Sequence, residues 1–345
     1  MSASSWGTFV NEDKNSTSIS PENTLSTETT LLTSASSSAP EPTQLPVPMQ
    51  PLQPSFGEKM FLGPDGLRAG WRLLLYLVMM VVVAVVLSVF LQPLRSHIKV
   101  ELWLMMIGEG ITVVAAIAPA FVMARLEKRP FGAYGLPRSA AFGKLFWVGT
   151  LWGLVWLTFL MLAMRGLKIF YFGGIALHGP RILKFAAFYG VLFLLVGFFE
   201  EFLMRGYTQF ALTKMMSFWP TAILLSLVFG AIHLRNEGEG WRGIISVVMI
   251  GFFFCLTLRR TGNLWFAVGF HASWDWGETF LFSVPNSGNA MPGHLLSSSF
   301  KGQPWLTGGT VGPEGSVLVY VLIAIMWIVF DRVYPEVKYQ TSLNG

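Results

Sequence analysis

Charged residues are scarce in this chain: Asp, Glu, Lys and Arg make up 12% of its 345 residues, whereas a typical soluble domain contains about 25%. Cysteine is nearly absent, and the one copy, Cys255, excludes an internal disulfide and hence a disulfide-rich secreted module. Hydrophobic residues reach 53% and the mean hydropathy is +0.54, which excludes an ordinary soluble enzyme and a disordered protein. The net charge is +5, but no basic block stands free of the apolar segments, so we expect no nucleic-acid partner. The composition predicts an integral membrane protein whose partners include membrane lipids.

The first 60 residues differ in composition from the rest of the chain. They are rich in Ser, Thr and Pro and contain few large apolar residues. Such a segment buries too little apolar surface to offset the entropy lost on ordering. Residues 1–60 are therefore predicted to form a disordered tail, and the absence of a basic stretch followed by an apolar run argues against a signal peptide.

Eight apolar runs follow the tail, each close to the ~20 residues that a helix needs to cross a bilayer. Because they are too long and continuous for barrel strands, each run predicts a helix. The predicted fold is an all-α bundle of about eight transmembrane helices with a polar cavity inside the membrane. We divide it into N-terminal membrane helices (61–184), a core (185–282), and an external connecting loop with the last helix (283–345). The runs lie at 71–92, 102–124, 144–164, 185–207, 217–234, 241–258, 262–282 and 315–331.

The orientation follows from the charge of the loops. The loop after the second run is the richest in basic residues, and basic loops tend to stay in the cytoplasm. With an even number of helices, both termini are then cytoplasmic. The basic residues of this loop are Arg125, Lys128, Arg129, Arg138 and Lys144.

The fourth run contains three charged residues, Glu200, Glu201 and Arg205, among Phe, Leu and Met. An ionisable group near the bilayer centre costs ~2.5–3.5 kcal/mol, whereas a Leu or Phe returns ~0.3–0.6 kcal/mol, so such a cluster indicates a functional site. Glu201 and Arg205 share a helix face and can form an ion pair. Glu200 points about 100° away and is free to face a cavity. The alternative is a helix end at the membrane surface that carries a plain salt bridge.

Two histidines lie in later runs, His233 in the fifth and His271 in the seventh. Asp275 is one helical turn after His271, so both side chains project from one face. Glu200, His233 and His271, with Asp275 or a water, are a ligand set that zinc accepts, although the HExxH pattern of soluble zinc proteases is absent. A metal-free glutamate–histidine site is the alternative. In both cases the predicted chemistry is hydrolysis, in which the glutamate takes a proton from water and a cation polarises the carbonyl.

Glu200 and His233 meet only under a condition on helix length. They lie on antiparallel helices and, counted from the helix ends, at different depths. They converge if the fourth helix continues past Arg205 to about Lys214, or if the fifth helix begins nearer Pro220.

The three motifs, taken in order, resemble the CPBP family of intramembrane proteases, also called the ABI family, which includes the type II CAAX prenyl endopeptidases. The family pattern is EExxxR, then FxxxH, then HxxxN or HxxxD on successive core helices. In this chain it reads Glu200-Glu201-Phe-Leu-Met-Arg205, then Phe229-Gly-Ala-Ile-His233, then His271-Ala-Ser-Trp-Asp275.

The resemblance implies a role for each of these residues. Glu200 would activate the attacking water, and His233 and His271 would hold that water, or a zinc ion, and the substrate carbonyl. Glu201 and Arg205 would support the helix that carries the glutamate. The fourth position is often Asn in the prenyl endopeptidases, where its amide can donate to the oxyanion, whereas Asp275 would orient His271 or act as a ligand.

The resemblance also implies a cavity that opens to the cytosol or laterally to lipid, and a substrate that is a membrane-associated peptide or a CAAX-type lipidated protein. We expect the protein to lie in a prokaryotic plasma membrane. The alternatives are a non-catalytic immunity or adaptor protein and a proton-coupled transporter that uses the same polar core.

Overall fold

The structure is a computed structural model that describes residues 55–63, 66–98, 100–236 and 238–339. The predicted tail lies outside the described residues over 1–54. Its last residues differ from the prediction, because a short helix, α1, covers Phe56–Phe61.

Twelve α-helices are found in the described part of the chain, and eight of them coincide with the eight predicted apolar runs. Those eight are α2, α4, α5, α6, α8, α9, α10 and α12. The helices after α1 are α2 (Ala69–Phe90), α3 (Gln92–His97), α4 (Glu101–Leu126), α5 (Lys144–Gly166), α6 (Pro180–Arg205), α7 (Tyr207–Met216), α8 (Phe218–His233), α9 (Trp241–Thr261), α10 (Trp265–Trp276), α11 (Pro304–Thr307) and α12 (Val317–Val333).

Five helical segments of the described chain are long and apolar enough to cross a membrane, which is fewer than the predicted eight. They are Ala69–Phe90, Glu101–Leu126, Lys144–Gly166, the continuous stretch Pro180–Met216, and Trp241–Thr261. Helices α8, α10 and α12 are shorter, with 16, 12 and 17 residues. The seventh run is shortened because Gly262, with φ +76°, ends α9, and α10 begins only at Trp265.

Short non-α elements complete the described fold. Strand β1 (Leu62–Gly63) pairs antiparallel with β2 (Gly66–Leu67), and β3 (Phe170–Tyr171) pairs antiparallel with β4 (Ser299–Phe300). A π-helical turn, Gly277–Leu281, extends α10. One-turn 3-10 helices lie at Phe131–Tyr134, Arg138–Ala140 and Pro313–Gly315.

Helix α10 is held in the centre by close backbone contacts. It crosses α5 at Gly153, where an added Cβ would lie 2.5 Å from the carbonyl oxygen of Phe270 and would also meet Ser273. It crosses α6 at Gly197, where a Cβ would lie 3.2 Å from the His271 Cβ. Small residues let helix backbones approach where lipid offers no hydrophobic driving force. These two glycines therefore set the position of the helix that carries His271.

The apolar residues divide between an aromatic core and an outer surface. Phe253, Phe266 and Phe330 are fully buried where α9, α10 and α12 meet. By contrast, Val81 and Val86 of α2 are 56% and 58% exposed. Large apolar side chains exposed along a whole helix are typical of a lipid-facing surface.

Candidate active site

One cavity of about 280 Å³ lies inside the bundle, and it is lined by all four residues predicted to be catalytic. Glu200 comes from α6, His233 from the end of α8, and His271 and Asp275 from α10. Much of the remaining wall is apolar and comes from α4, α6, α8, α9, α10 and α12, and loop residues complete it. The structure thus brings together the acid and imidazole groups of three helices.

The expected ion pair between Glu201 and Arg205 forms. The Arg205 Nη1 donates to the Glu201 Oε1 over 3.1 Å, and both side chains are 0% exposed. The guanidinium also lies 4.4 Å from the centre of the Phe229 ring. This places a compensated charge pair directly behind the cavity.

Glu201 also contacts His271, which the sequence did not show. The His271 Nδ1 lies 3.0 Å from the Glu201 Oε1, and because an ionised carboxylate only accepts, Nδ1 carries the proton and donates. The opposite nitrogen, Nε2, then lies 3.6 Å from the Glu200 Oε2 and 3.5 Å from the Asp275 Oδ2. The two neighbouring glutamates therefore reach opposite sides of one imidazole.

His233 is oriented in the same way by its own helix. Its Nδ1 lies 2.9 Å from the carbonyl oxygen of Phe229, which can only accept, so Nδ1 is the donor here as well. In both histidines the Nε2 atom is left for the site.

Glu200 and His233 line the same cavity, although neither expected condition on helix length is met as stated. Helix α6 ends at Arg205, but after a break at Gly206 the chain continues as α7 to Met216. Helix α8 begins at Phe218, and Pro220 lies within its first turn.

The fit of these side chains to a zinc ion is incomplete. In the described residues no group of three or more His, Cys, Asp or Glu side chains is placed to hold a metal. The two acids near the His271 Nε2 stand at distances of 3.5 and 3.6 Å. The chemical steps proposed below therefore use the protein's own side chains.

The loop at 283–314, predicted to be an external connector, also contributes polar side chains to the cavity lining. Asn286, Ser287, Asn289 and Glu314 all face the cavity. The loop is tied down, since both the amide nitrogen and the hydroxyl of Ser287 donate to Glu314 over 2.9 and 2.7 Å. The Gly, Pro and Ser residues of this loop predict turns but do not indicate whether the loop packs against the core.

The loop residues of the cavity share one face of the bundle. Asn236, in the loop after α8, donates to the carbonyl oxygen of Ser287 over 3.0 Å. The opposite face carries the basic loop after α4, where the Tyr207 hydroxyl donates to Glu127 over 2.6 Å. The loop residues that line the cavity thus lie away from that basic loop.

Three further acidic groups surround the site. Glu109, in α4, lines the cavity and accepts a hydrogen bond from Thr112 of its own helix. Glu278 is 0% exposed, and neither of its carboxylate oxygens has a hydrogen-bond partner. In the loop after α8, burial and the nearby Glu314 raise the pKa of Glu239.

Residues 182–277 match the family model described as type II CAAX prenyl endopeptidase Rce1-like. This segment is a CAAX-protease-type domain. The Rce1-like domain runs from α6 to the end of α10 and contains all three motifs, which confirms the resemblance stated from the sequence. At the general level it indicates a membrane-embedded protease, a hydrolase that takes a peptide or protein as substrate. A search of curated proteins gives no match to the chain.

Proposed function

We propose that the protein is an intramembrane endopeptidase in which Glu200 activates the attacking water. The observation that carries this proposal is the convergence of Glu200, His233 and His271 on one cavity within an Rce1-like domain. The substrate we propose is a membrane-associated peptide, with a CAAX-type lipidated protein as the class suggested by the family match.

The first step is the addition of water to the scissile carbonyl. The Glu200 carboxylate takes a proton from water while the water oxygen bonds to the carbonyl carbon. The carbonyl π electrons move to oxygen and give a tetrahedral oxyanion. The Nδ1 hydrogen bonds of His233 and His271 leave their Nε2 atoms as acceptors, and one of these accepts the second hydrogen of the water.

The second step is the collapse of this intermediate. The oxyanion electrons re-form the carbonyl, the C–N bond breaks, and the leaving nitrogen takes the proton held by Glu200. The Asp275 Oδ2, 3.5 Å from the His271 Nε2, orients the imidazole when that nitrogen is protonated. Glu201 and Arg205 support the site without contacting substrate, because the buried Glu201, paired with Arg205, accepts the hydrogen of the His271 Nδ1 and so fixes the orientation of this imidazole.

The test is peptide hydrolysis by purified protein in lipid. Glu200→Gln keeps the shape of the side chain but removes the base, and we expect kcat to fall at least ~100-fold. His233→Ala should also abolish turnover, whereas Glu239→Gln, outside the cavity lining, should leave it intact. Cleavage that survives Glu200→Gln and His233→Ala would refute the assignment. Metal content is measured on the same samples, which tests the zinc alternative directly.

We propose cytoplasmic termini, on the strength of the basic loop after α4. With this orientation the loop residues Asn236 and Ser287 of the cavity lining lie toward the opposite side of the membrane, whereas the resemblance implied a cavity open to the cytosol or laterally to lipid. A single cysteine placed at Ser139 should react with a membrane-impermeant thiol reagent only from the cytoplasmic side. The background is low because the native Cys255 is fully buried.

A further inference from the structure

The proposed reaction places a negative charge where the cavity is already acidic. Glu109, Glu200, Asp275 and Glu314 line the cavity, and no Lys or Arg is among the lining residues that the structure describes. Oxyanion intermediates are stabilised by preorganised hydrogen-bond donors aimed at the developing charge. The donor must therefore be sought among neutral side chains and the two histidines.

The histidines are poorly placed to supply this donor. Each uses its Nδ1 hydrogen outside the reaction, on Glu201 for His271 and on a backbone carbonyl for His233. In a neutral imidazole the remaining Nε2 only accepts. If His271 is protonated, its Nε2 hydrogen faces Glu200 and Asp275 at 3.6 and 3.5 Å.

Three asparagines line the cavity, and their amides differ in how they are used. The Nδ2 atoms of Asn236 and Asn289 donate to the same carbonyl oxygen, that of Ser287, over 3.0 and 3.2 Å. Asn286 is 8% exposed, its Nδ2 makes a long contact of 3.5 Å to the backbone carbonyl oxygen of Asp275, and its side chain also interacts with the Asp275 carboxylate. Of the three amides, that of Asn286 is therefore the one beside Asp275, and in the described residues no short hydrogen bond holds its hydrogens.

The backbone around Asn286 is fixed before any substrate binds. The amide nitrogen of Asn286 donates to the carbonyl oxygen of Asn289 over 3.0 Å, and the reverse bond measures 2.8 Å. Ser287, the next residue, is held by Glu314. A donor on so constrained a turn needs little reorganisation during the reaction.

We propose that Asn286 is a catalytic residue whose side-chain amide donates to the oxyanion of the tetrahedral intermediate. This inference rests on the proposed function. It assigns a chemical role to the loop at 283–314, outside the segment that matches the family.

The test compares Asn286→Ala with Asn289→Ala, a matched loss of an amide three residues away on the same turn. We expect Asn286→Ala to lower kcat by ~100- to 1,000-fold with little change in KM, as for the loss of one oxyanion donor. Asn289→Ala should keep kcat near the wild-type value. Asp275→Asn in the Asn286→Ala background supplies a new amide beside the lost one and should restore part of kcat.

A second readout separates a catalytic from a structural role. Asn286→Ala should weaken the binding of a peptide phosphinate, which mimics the tetrahedral intermediate, and leave the binding of the parent peptide unchanged. If Asn286→Ala does not fold, Asn286→Ser replaces it in this test, because its hydroxyl is polar but too short to reach the oxyanion. A kcat near wild type, a change confined to KM, or an equal loss in Asn289→Ala would overturn the proposal for Asn286 alone. Absence of turnover in the wild-type protein overturns the proposed function and this inference together.

Discussion

Replacing Glu201 by Gln separates two tasks that this one carboxylate performs. Its Oε1 accepts from Arg205 over 3.1 Å and from the His271 Nδ1 over 3.0 Å. The first contact neutralises a buried cation, and the second fixes the tautomer of a site histidine. Gln keeps the shape and one acceptor oxygen but loses the charge.

The size of the stability effect follows from the burial of the pair. Both side chains are 0% exposed, and the Nε and Nη2 atoms of Arg205 already lack hydrogen-bond partners. Removing one partner of a buried ion pair typically costs ~3–5 kcal/mol, because the remaining charge is left uncompensated. We expect Glu201→Gln to lower the free energy of unfolding by about this amount.

The double variant Glu201→Gln with Arg205→Met removes both charges. Replacing a whole buried pair by neutral side chains is often close to neutral, so stability should return to near the wild-type level. Activity should not return, because the His271 Nδ1 then donates to a neutral amide, and charge-assisted bonds are about twice as strong. We expect kcat to stay ~10- to 100-fold low, the usual cost of losing an outer-shell partner of a site histidine.

The assays are unfolding in mixed micelles and peptide hydrolysis on the same preparations. Glu278→Gln is the control, since Glu278 is also a fully buried carboxylate but forms no ion pair with the described residues, and its neutralisation should not destabilise the fold. The reasoning fails if Glu201→Gln is as stable as wild type. It also fails if the double variant recovers stability and activity together, which would leave Glu201 as a counter-ion only.

Three further predictions follow. Gly197→Ala places a methyl group 3.2 Å from the His271 Cβ, so it should lower kcat clearly while the melting temperature changes little. Gly190→Ala is the control on the same helix, because its methyl group would have 4.0 Å of clearance, and it should change neither kcat nor the melting temperature. Glu239→Gln should raise the free energy of unfolding at neutral pH. Burial raises the pKa of Glu239 in the folded protein, so its ionisation destabilises the wild-type fold as the pH rises above 4.5. The stability gained by Glu239→Gln should therefore vanish when unfolding is measured in acid. Peptides with a Lys beside the scissile bond should show a lower KM than matched peptides with a Glu, because the described cavity lining carries carboxylates and no Lys or Arg. The difference in KM should shrink with added salt, which screens the charges. Equal KM values for the two peptides would contradict this.

The sequence predicted helix positions and motif residues well because both depend on local pattern. Each of the eight apolar runs coincides with a helix, and the Glu201–Arg205 pair follows from one turn of spacing. The bond from His271 to Glu201 was not predictable, since it depends on how closely α6 and α10 approach at Gly197. Asn286 was missed for a similar reason: a loop that returns to the core has the same composition as one that does not.

Two helices that carry site residues are shorter than the hydrocarbon core of a membrane is thick. Helix α8 has 16 residues, and α10 has 12 followed by the five of its π-helical turn, so each measures roughly 24 Å, less than the ~30 Å of a hydrocarbon core. Backbone that is not helical at that depth must be buried in protein or line a water-filled cavity. The loop at 283–314 meets this requirement by packing over the short helices, and its polar side chains face the cavity beside Glu200 and His271. Hydrolysis inside a membrane needs water, and we expect water to reach Glu200 through the cavity that these polar loop side chains line.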